Sequence, residues 1–510
     1  MRKKYLFLAA LMLLCSVVVS AKKKQSIVIL YENDVHCAIE GYQVLAGLRD
    51  AVADTAYVAV VSSGDFVQGG TAGAISRGQY VADIMRTVGY DAITLGNHEF
   101  DFPVKHTKEL LAHIGAPVVC TNLYETETNR KVFAPYIIKK FGKTKIAFIG
   151  AATPGTFYTE TGAFFEGDKQ IYDLREKDFN EVMQRTVDQA RKEGARYVVV
   201  LSHLGEDPDR SGVNSHEMIK HTTGIDIVLD GHTHSVVAHD TLLNAAGKPV
   251  VITETGSKFE NIGKLVIRKG KMHNELLPVK DLAVRSERVQ ATTDSVLLLM
   301  QEQTRRIVCH SDVSLQFENA KGTWILRTED TNTGNLICDA FRVTTGADIA
   351  LANGGCVRRG QTAGDWTYGD IAAMLPYDNH LWVVEASGAT IVELLRRSTQ
   401  LLPEEDGSFP QVSGLRYTAH VADHSISDVE VLNRKTGAYE PIDLNRNYTV
   451  STIDYCVSGG GFYDALKNCK VVERGDMLYR DVFVEFVEKN LGGHIGQDYS
   501  EPQGRIRIEN

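Results

Sequence analysis

The sequence predicts an α/β protein of two domains joined by a long helix. Short runs rich in β-branched residues alternate with amphipathic stretches from residue 26 to about 285, which is the pattern of strands separated by helices. Residues 283–307 contain no Gly or Pro and are typical of one continuous helix. The chain has 510 residues, which is too long for a single hydrophobic core.

The first 21 residues have the features of a secretory signal. Basic residues at 2–4 precede an apolar run over 5–19, and small residues near Ala21 suit a signal peptidase. The run is too short for a membrane span. We therefore expect cleavage of residues 1–21, a periplasmic or secreted protein, and no integral membrane span. Cys15 leaves a lipid-anchored form as an alternative, which Leu14 disfavours because a small residue is expected at that position.

The predicted N-terminal domain, residues 25–285, contains eight strand-like runs. They lie at 27–31, 57–61, 92–95, 117–120, 145–149, 197–201, 225–229 and 250–253. Between the second and third runs, Tyr80, Ile84 and Val88 recur at helical spacing. Strands and helices that alternate in this way predict a layered α/β domain.

The rest of the chain is predicted to form a connector and a second α/β domain. Residues 286–318 hold the connector helix and a hinge near 307–312, and residues 319–510 form the second domain. Its predicted strands lie at 349–351, 381–385 and 448–451, and its predicted helices at 334–344 and 389–400.

Charge and cysteine content exclude some classes of protein. A formal net charge of −10 argues against long nucleic acids as partners, since no basic surface is available for a phosphate backbone. A small anionic substrate stays compatible, because bound metal ions reverse the local charge. The seven cysteines after Cys15 are odd in number and form no C-x-x-C pair, so we expect mostly buried thiols.

Side chains that bind metals stand at the ends of five of the predicted strands. They are Asp34, His36, Asp65, Asn97, His203, His232 and His234. In an open α/β sheet the carboxyl ends of the strands line one crevice, so these side chains are expected to meet. Residues two apart in an extended chain point the same way, so each closely spaced pair can bind one ion.

Mixed imidazole and carboxylate ligands predict two divalent metal ions. Zinc, manganese or iron suits such ligands better than calcium, and cobalt is also compatible. Two ions about 3.5–4 Å apart need a shared ligand, for which Asp65 is the candidate.

The motifs D-x-H, G-D, G-N-H-E, H and G-H-x-H, in this order, resemble the calcineurin-like metallophosphoesterases. The longer segments around three of these motifs, at 33–36, 64–69 and 96–101, resemble the 5′-nucleotidase family. This resemblance implies an N-terminal four-layer α/β/β/α metallophosphoesterase sandwich and a C-terminal α/β substrate-binding domain. It also implies two ligand sets. One metal would be held by Asp34, His36, Asp65 and His234, and the other by Asp65, Asn97, His203 and His232.

A histidine and a carboxylate beside the ligands are candidates for catalysis. Water bound to such ions ionises near neutral pH and can attack phosphorus. His98 follows the ligand Asn97, and Asp101 can orient the His98 ring. In the family the matching pair stabilises the transition state. The alternative is that His98 only supports the neighbouring ligand.

Six residues of the second domain are predicted to bind the substrate. They are Arg327, Asn353, Arg358, Tyr377, Asn379 and Tyr455. Arginines bind phosphate oxygens, and two aromatic rings can sandwich a flat base. By position, the family's substrate segments imply that the arginines hold phosphate, the asparagines contact base and ribose, and the tyrosines stack on the base.

The second domain departs from the family pattern in three places. Cys356 replaces a glycine, and tyrosines replace both stacking phenylalanines. The Gly-rich segment at 458–461 is one residue shorter and lacks the aspartate that, in the family, holds the ribose hydroxyls. The mode of ribose recognition is therefore left open by the sequence.

These features predict a secreted two-metal phosphoesterase that hydrolyses nucleoside 5′-monophosphates. Nucleotide sugars, diphosphates and 2′,3′-cyclic nucleotides are further candidate substrates. The alternatives are a sugar-phosphate phosphatase, a thiosulfonate hydrolase and a catalytically inert surface binding protein. A hinge is expected because the metals bind to one domain and the substrate to the other, so the two domains must move towards each other. The oligomeric state is not predicted.

Overall fold

The structure, a computed structural model, describes residues 24–166, 169–207 and 211–509. The predicted signal at 1–21 and Cys15 lie outside the described residues. Among the residues described, no helix is both long and apolar enough to cross a bilayer. All seven cysteines in these ranges are free thiols and six are buried, which confirms the prediction made for them.

A five-stranded mixed sheet forms the first half of the N-terminal domain. Its strands, in order across the sheet, are Lys271–Pro278, Asn261–Arg268, Ser26–Glu32, Tyr57–Ser62 and Ala92–Ile93. The last three run parallel, so their carboxyl ends meet at one edge. Four helices cover the outer face, Gly41–Val52, Gln79–Val88, Val104–Ile114 and Glu287–Thr304.

A six-stranded sheet packs face to face against the first. Its strands, in order, are Val236–Leu243, Pro249–Thr255, Ile227–Leu229, Tyr197–His203, Thr144–Ala152 and Tyr136–Phe141. Helices Phe179–Lys192 and Ser215–His221 cover its outer face. Ile29 and Tyr31 pack between the sheets against Val199 and Leu201. The four layers predicted from the family resemblance are therefore confirmed.

The connector helix is shorter than predicted. It spans Glu287–Thr304, and Val289, Thr293 and Val296 are its buried face. The predicted hinge overlaps Ile307–Ser311, which is instead a strand held between Gly364–Thr367 and His494–Ile495. Because both edges of that strand are paired, we propose that the joint lies at residues 305–306 and that the second domain begins at Ile307 rather than at 319.

The C-terminal domain has a five-stranded sheet at its centre. Its strands, in order, are Pro410–Ser413, Ile349–Asn353, Asn447–Ile453, His380–Ser387 and Lys470–Leu478. Helices Asn332–Thr345, Tyr368–Met374, Gly388–Ser398 and Tyr479–Lys489 pack into the same core. A four-stranded sheet of Tyr439–Pro441, Ser425–Leu432, Leu415–His420 and Ile506–Glu509 lies beside it.

Several short elements complete the described chain. Leu123–Glu125 pairs with Tyr172–Leu174, and Phe165–Glu166 pairs with Lys169–Gln170. The short α-helices are Gly70–Ser76, Thr156–Thr159 and Asp454–Val457. The 3₁₀ turns are His98–Phe100, Thr161–Phe164, Val279–Asp281, Ile325–Arg327, Gly354–Cys356, Asp464–Leu466 and Gln497–Tyr499. The predicted strand at 117–120 forms only isolated bridges, one of which joins Val118 to Ile93.

Candidate metal and substrate site

Four of the predicted ligands meet where the first sheet ends. Nε2 of His36 lies 2.9 Å from Nε2 of His234. Nε2 of His234 lies 3.4 Å from Oδ1 of Asp34, and Nε2 of His36 lies 3.9 Å from Oδ2 of Asp65. Two imidazoles and two carboxylates therefore point towards a common centre, as ligands of one cation do.

The remaining predicted ligands lie directly beside this group. Nε2 of His203 lies 3.1 Å from Oδ2 of Asp65 and 3.8 Å from Oδ1 of Asp34. Nδ1 of His232 lies 2.9 Å from Oδ1 of Asn97, and the His232 and His203 ring centroids are 5.4 Å apart. Asp65 thus stands between the two groups, which is the position that a bridging ligand requires.

Two buried atoms in the cluster show that it fits a cation. Oδ1 of Asp34 and Nε2 of His203 are buried and have no hydrogen-bond partner within the described chain. A buried polar group without a partner costs about 1–3 kcal/mol. A divalent cation would satisfy both atoms, and the mixed nitrogen and oxygen ligands suit a transition metal.

The histidine rings are oriented by carbonyl groups behind them. Nδ1 of His203 donates to the Ser63 carbonyl at 2.7 Å, and Nδ1 of His36 donates to the Gln68 carbonyl at 3.1 Å. Each Nε2 therefore faces the carboxylates, as it does in metal-binding histidines.

Charge in the cluster follows from burial and from the two carboxylates. Burial lowers the pKa of His36 to about 4, so that ring is neutral and able to ligate. Burial also opposes a charge on His203, but Asp65 and Asp34 raise the pKa of His203 well above its usual range. A cation bound there would displace the proton, because metal ligation requires the neutral imidazole.

The backbone of the cluster is strained. Positive φ angles of 52°, 45°, 59°, 91° and 59° occur at Asp34, His36, Asp65, His232 and His234. Each such residue costs on the order of 1–3 kcal/mol and persists only where the surroundings require it, which is common at functional sites. Gly96 relieves crowding, because a Cβ there would lie 2.1 Å from Oδ1 of Asp65.

Glu99 organises the loops that carry the ligands, a role that the sequence did not reveal. Its buried carboxylate accepts backbone N–H groups from Asp65 at 2.8 Å, Phe66 at 2.9 Å and Gly96 at 2.6 Å. One side chain therefore fixes the Gly-Asp loop against the Gly-Asn-His-Glu loop. The sequence feature that could have indicated this role is the position of Glu99 in the Gly-Asn-His-Glu motif at 96–99.

His98 and Asp101 form the predicted pair. Nδ1 of His98 lies 3.0 Å and 3.1 Å from the two carboxylate oxygens of Asp101. Burial opposes a charge on His98, but Asp101 and Asp65 raise the pKa of His98 to about 10. The His98 ring lies 5.2 Å from that of His36. Asp101 also lines a cavity that lies between the two domains.

A cavity of about 380 Å³ lies between the two domains. The N-terminal domain contributes Asn97 and His232 from the ligand cluster, together with Asp101 and Glu160. All six predicted substrate residues line the opposite wall, namely Arg327, Asn353, Arg358, Tyr377, Asn379 and Tyr455. The structure therefore brings the two predicted sites together in one space.

The two arginines are held by an aromatic ring that the sequence analysis did not single out. The guanidinium carbons of Arg327 and Arg358 lie 4.1 Å and 5.1 Å from the centroid of the Trp324 ring. Burial and the neighbouring Arg358 lower the pKa of Arg327, and its Nε is buried without a partner in the described chain. Two adjacent guanidinium groups at the wall of a cavity suit an anion such as phosphate.

The tyrosines are positioned by backbone contacts. The Tyr455 ring packs so closely on Gly460 that a Cβ there would lie 2.4 Å from it. The Tyr377 carbonyl accepts a hydrogen bond from Arg480 at 2.9 Å. Burial raises the pKa of Tyr377 to about 12, so its phenol stays neutral. The segments at 153–160 and 406–408 also line the cavity and were not predicted.

Comparisons with known proteins match both halves of the chain. Residues 27–236 match the calcineurin-like phosphoesterase family, and residues 310–468 match the 5′-nucleotidase C-terminal domain. The chain is similar to the trifunctional nucleotide phosphoesterase protein YfkN of Bacillus subtilis, with 24% identity over 94% of this chain but only 34% of that protein. It is 25% identical to the 5′-nucleotidase of Vibrio cholerae, over 92% of this chain and 91% of that one.

A solved structure shows the same fold. The 5′-nucleotidase precursor from Thermus thermophilus superposes with a TM-score of 0.73 and 25% identity, covering 95% of this chain and 99% of that chain. The domain order, the site and these likenesses agree. The chain belongs to the 5′-nucleotidase family, with a calcineurin-like phosphoesterase domain before a 5′-nucleotidase C-terminal domain, and is a metal-dependent phosphoester hydrolase.

Proposed function

We propose that this protein uses two divalent ions, zinc or manganese, to hydrolyse nucleoside 5′-monophosphates to a nucleoside and phosphate. The cavity between the domains carries the proposal. One wall contains Asn97 and His232 from the ligand cluster, and the other contains two arginines and two tyrosines. A phosphate group and a flat base are the chemical groups that these walls match.

The ligand assignment follows the two groups of side chains. Asp34, His36, Asp65 and His234 would hold one ion. Asp65, Asn97, His203 and His232 would hold the other. When bound, such ions supply a water that ionises near neutral pH and positive charge for the phosphoryl oxygens.

The protein side chains position the substrate around that chemistry. Arg327 and Arg358 bind the phosphate oxygens, and Tyr377 and Tyr455 stack on the base. His98, held by Asp101, lies beside the ligand cluster, where charge develops on phosphoryl oxygens, and a proton on its ring would place positive charge there. The hydrogen bond that His98 Nδ1 donates to Asp101 fixes the orientation of the ring.

A substrate panel with released phosphate as the readout tests the proposal. We expect AMP to be hydrolysed and Tyr377→Ala to raise KM for AMP by roughly tenfold or more, since base stacking contributes about 1–3 kcal/mol. The same variant should leave ribose 5-phosphate turnover unchanged. Tyr439→Ala, in the edge strand Tyr439–Pro441, is the matched control. Turnover of ribose 5-phosphate without any nucleotide turnover would refute the proposal.

We also propose that the protein works outside the cytoplasm. The basic residues and apolar run at the N-terminus support this location. N-terminal sequencing of the protein purified from its native cells should begin at Lys22. A first residue of Met1 in that material would contradict the proposal.

A further inference from the structure

The cavity holds the proposed phosphate site and the proposed base site, but its Gly-rich wall offers no carboxylate for the sugar between them. The segment 458–462 is Ser-Gly-Gly-Gly-Phe. The next acidic residue, Asp464, is paired with Arg397 at 3.2 Å and Lys467 at 3.6 Å and does not line the cavity. Sugar hydroxyl groups buried in such a site need hydrogen-bond acceptors.

A carboxylate from a different loop lines the same cavity. Within the described chain, three acidic residues line it, Asp101, Glu160 and Asp406. Asp101 is bonded to His98, and Glu160 belongs to the N-terminal domain. Asp406 is therefore the acidic residue that the substrate-binding domain contributes.

The loop around Asp406 lies between the residues proposed to surround the nucleoside. The Gly407 carbonyl accepts hydrogen bonds from Gly355 N at 2.8 Å and from Asn353 Nδ2 at 3.1 Å. On its other side the loop touches the Gly-rich segment, because a Cβ on Gly461 would lie 3.2 Å from Cβ of Ser408. The loop is thus fixed against both neighbours.

The carboxylate of Asp406 is itself oriented. The Ser408 N–H donates to its Oδ1 at 2.8 Å, and the Ser408 hydroxyl donates to the same oxygen. The hydrogen bonds made inside the described chain use Oδ1, which leaves Oδ2 for a ligand. A carboxylate held in this way accepts hydrogen bonds from hydroxyl groups and repels a second phosphate.

We infer that Asp406 binds the sugar hydroxyls of the substrate and makes the enzyme select ribonucleotides over 2′-deoxyribonucleotides. The inference rests on the proposed nucleotidase function and names the part of the substrate that this loop reads. It also accounts for a Gly-rich segment without an acidic side chain, because the acceptor comes from the adjacent loop.

The test compares kcat/KM for AMP and 2′-deoxy-AMP in the full-length, metal-reconstituted enzyme. We expect the wild type to prefer AMP. Asp406→Asn should lower kcat/KM for AMP about 10- to 100-fold, since hydrogen bonds to charged groups are the stronger class. The value for 2′-deoxy-AMP should change far less. The amide oxygen of the substituted side chain can still accept from Ser408, so the loop is retained.

The control is Glu405→Gln, which removes the neighbouring exposed carboxylate outside the cavity. Inhibition by adenosine and by 2′-deoxyadenosine gives a second readout, and Asp406→Asn should abolish the difference between them. Turnover of AMP with an AMP to 2′-deoxy-AMP ratio unchanged by Asp406→Asn would overturn the inference and leave the proposed function intact. Failure of the wild type to hydrolyse any nucleotide would refute the proposed function and this inference with it.

Discussion

Arg480 holds the two domains together next to the substrate site, and its replacement by Met should destabilise the protein strongly. Its side chain is only 5% exposed. It donates to the Ala74 carbonyl in the N-terminal domain at 3.0 Å, to Asp378 at 2.9 Å and to the Tyr377 carbonyl at 2.9 Å. Replacing Arg480 leaves the Ala74 and Tyr377 carbonyls without their donor, and a buried polar group without a partner costs about 1–3 kcal/mol.

Arg77 is the matched comparison for Arg480. Arg77 belongs to the N-terminal domain and binds the same Asp378 carboxylate at 2.8 Å, but its side chain is 51% exposed. An exposed pair contributes about 0–1 kcal/mol. Arg77→Met should therefore change stability little, although both substitutions remove one arginine from one aspartate.

Thermal unfolding and AMP kinetics test this contrast. At roughly 2–4 °C per kcal/mol for a domain of 150–250 residues, Arg480→Met should lower Tm by several times more than Arg77→Met. Arg480→Met should also raise KM for AMP, because the Tyr377 carbonyl loses its donor. Equal Tm changes in the two variants would refute the reasoning, since burial of the arginine would then not determine the size of the destabilisation.

Two further substitutions test the residues that position the site. Glu99→Gln should lower metal affinity about 10- to 100-fold, as expected for a group that orients ligands, measured by titration of the metal-free protein. Unchanged affinity would contradict the role of Glu99. Trp324→Ala should raise KM for AMP by roughly tenfold through loss of the two cation–π contacts, whereas Trp382→Ala, which removes the stack with Arg474, should not. Equal effects of the two tryptophan variants would remove the support for an arginine platform.

The metal cluster could be predicted because its residues follow buried strands directly. Val28, Leu30 and their neighbours make the first strand apolar on both faces, and Asp34 and His36 come immediately after it. Parallel strands bring their carboxyl ends to one edge. The local sequence therefore indicates both the strand and the position of the ligands after it, and this prediction needs no knowledge of contacts between distant residues.

Other features depend on contacts between distant parts of the chain. Residues 307–312 were predicted as a hinge, but Ile307–Ser311 is a strand, because it pairs with Gly364–Thr367 and with His494–Ile495, almost at the other end of the sequence. Trp324 and Asp406 have no local pattern that indicates a site, and their roles appear only when the folded domain places them against Arg358 and the cavity. Sequence periodicity carries no information of this kind.

Metal content of the active protein tests the central claim most directly. Elemental analysis of protein reconstituted with zinc or manganese should find two ions per chain, and Asp65→Asn should retain one ion or none, because both sites share that carboxylate. Active wild-type protein that binds no divalent metal, or an Asp65→Asn variant that keeps both ions, would contradict the account.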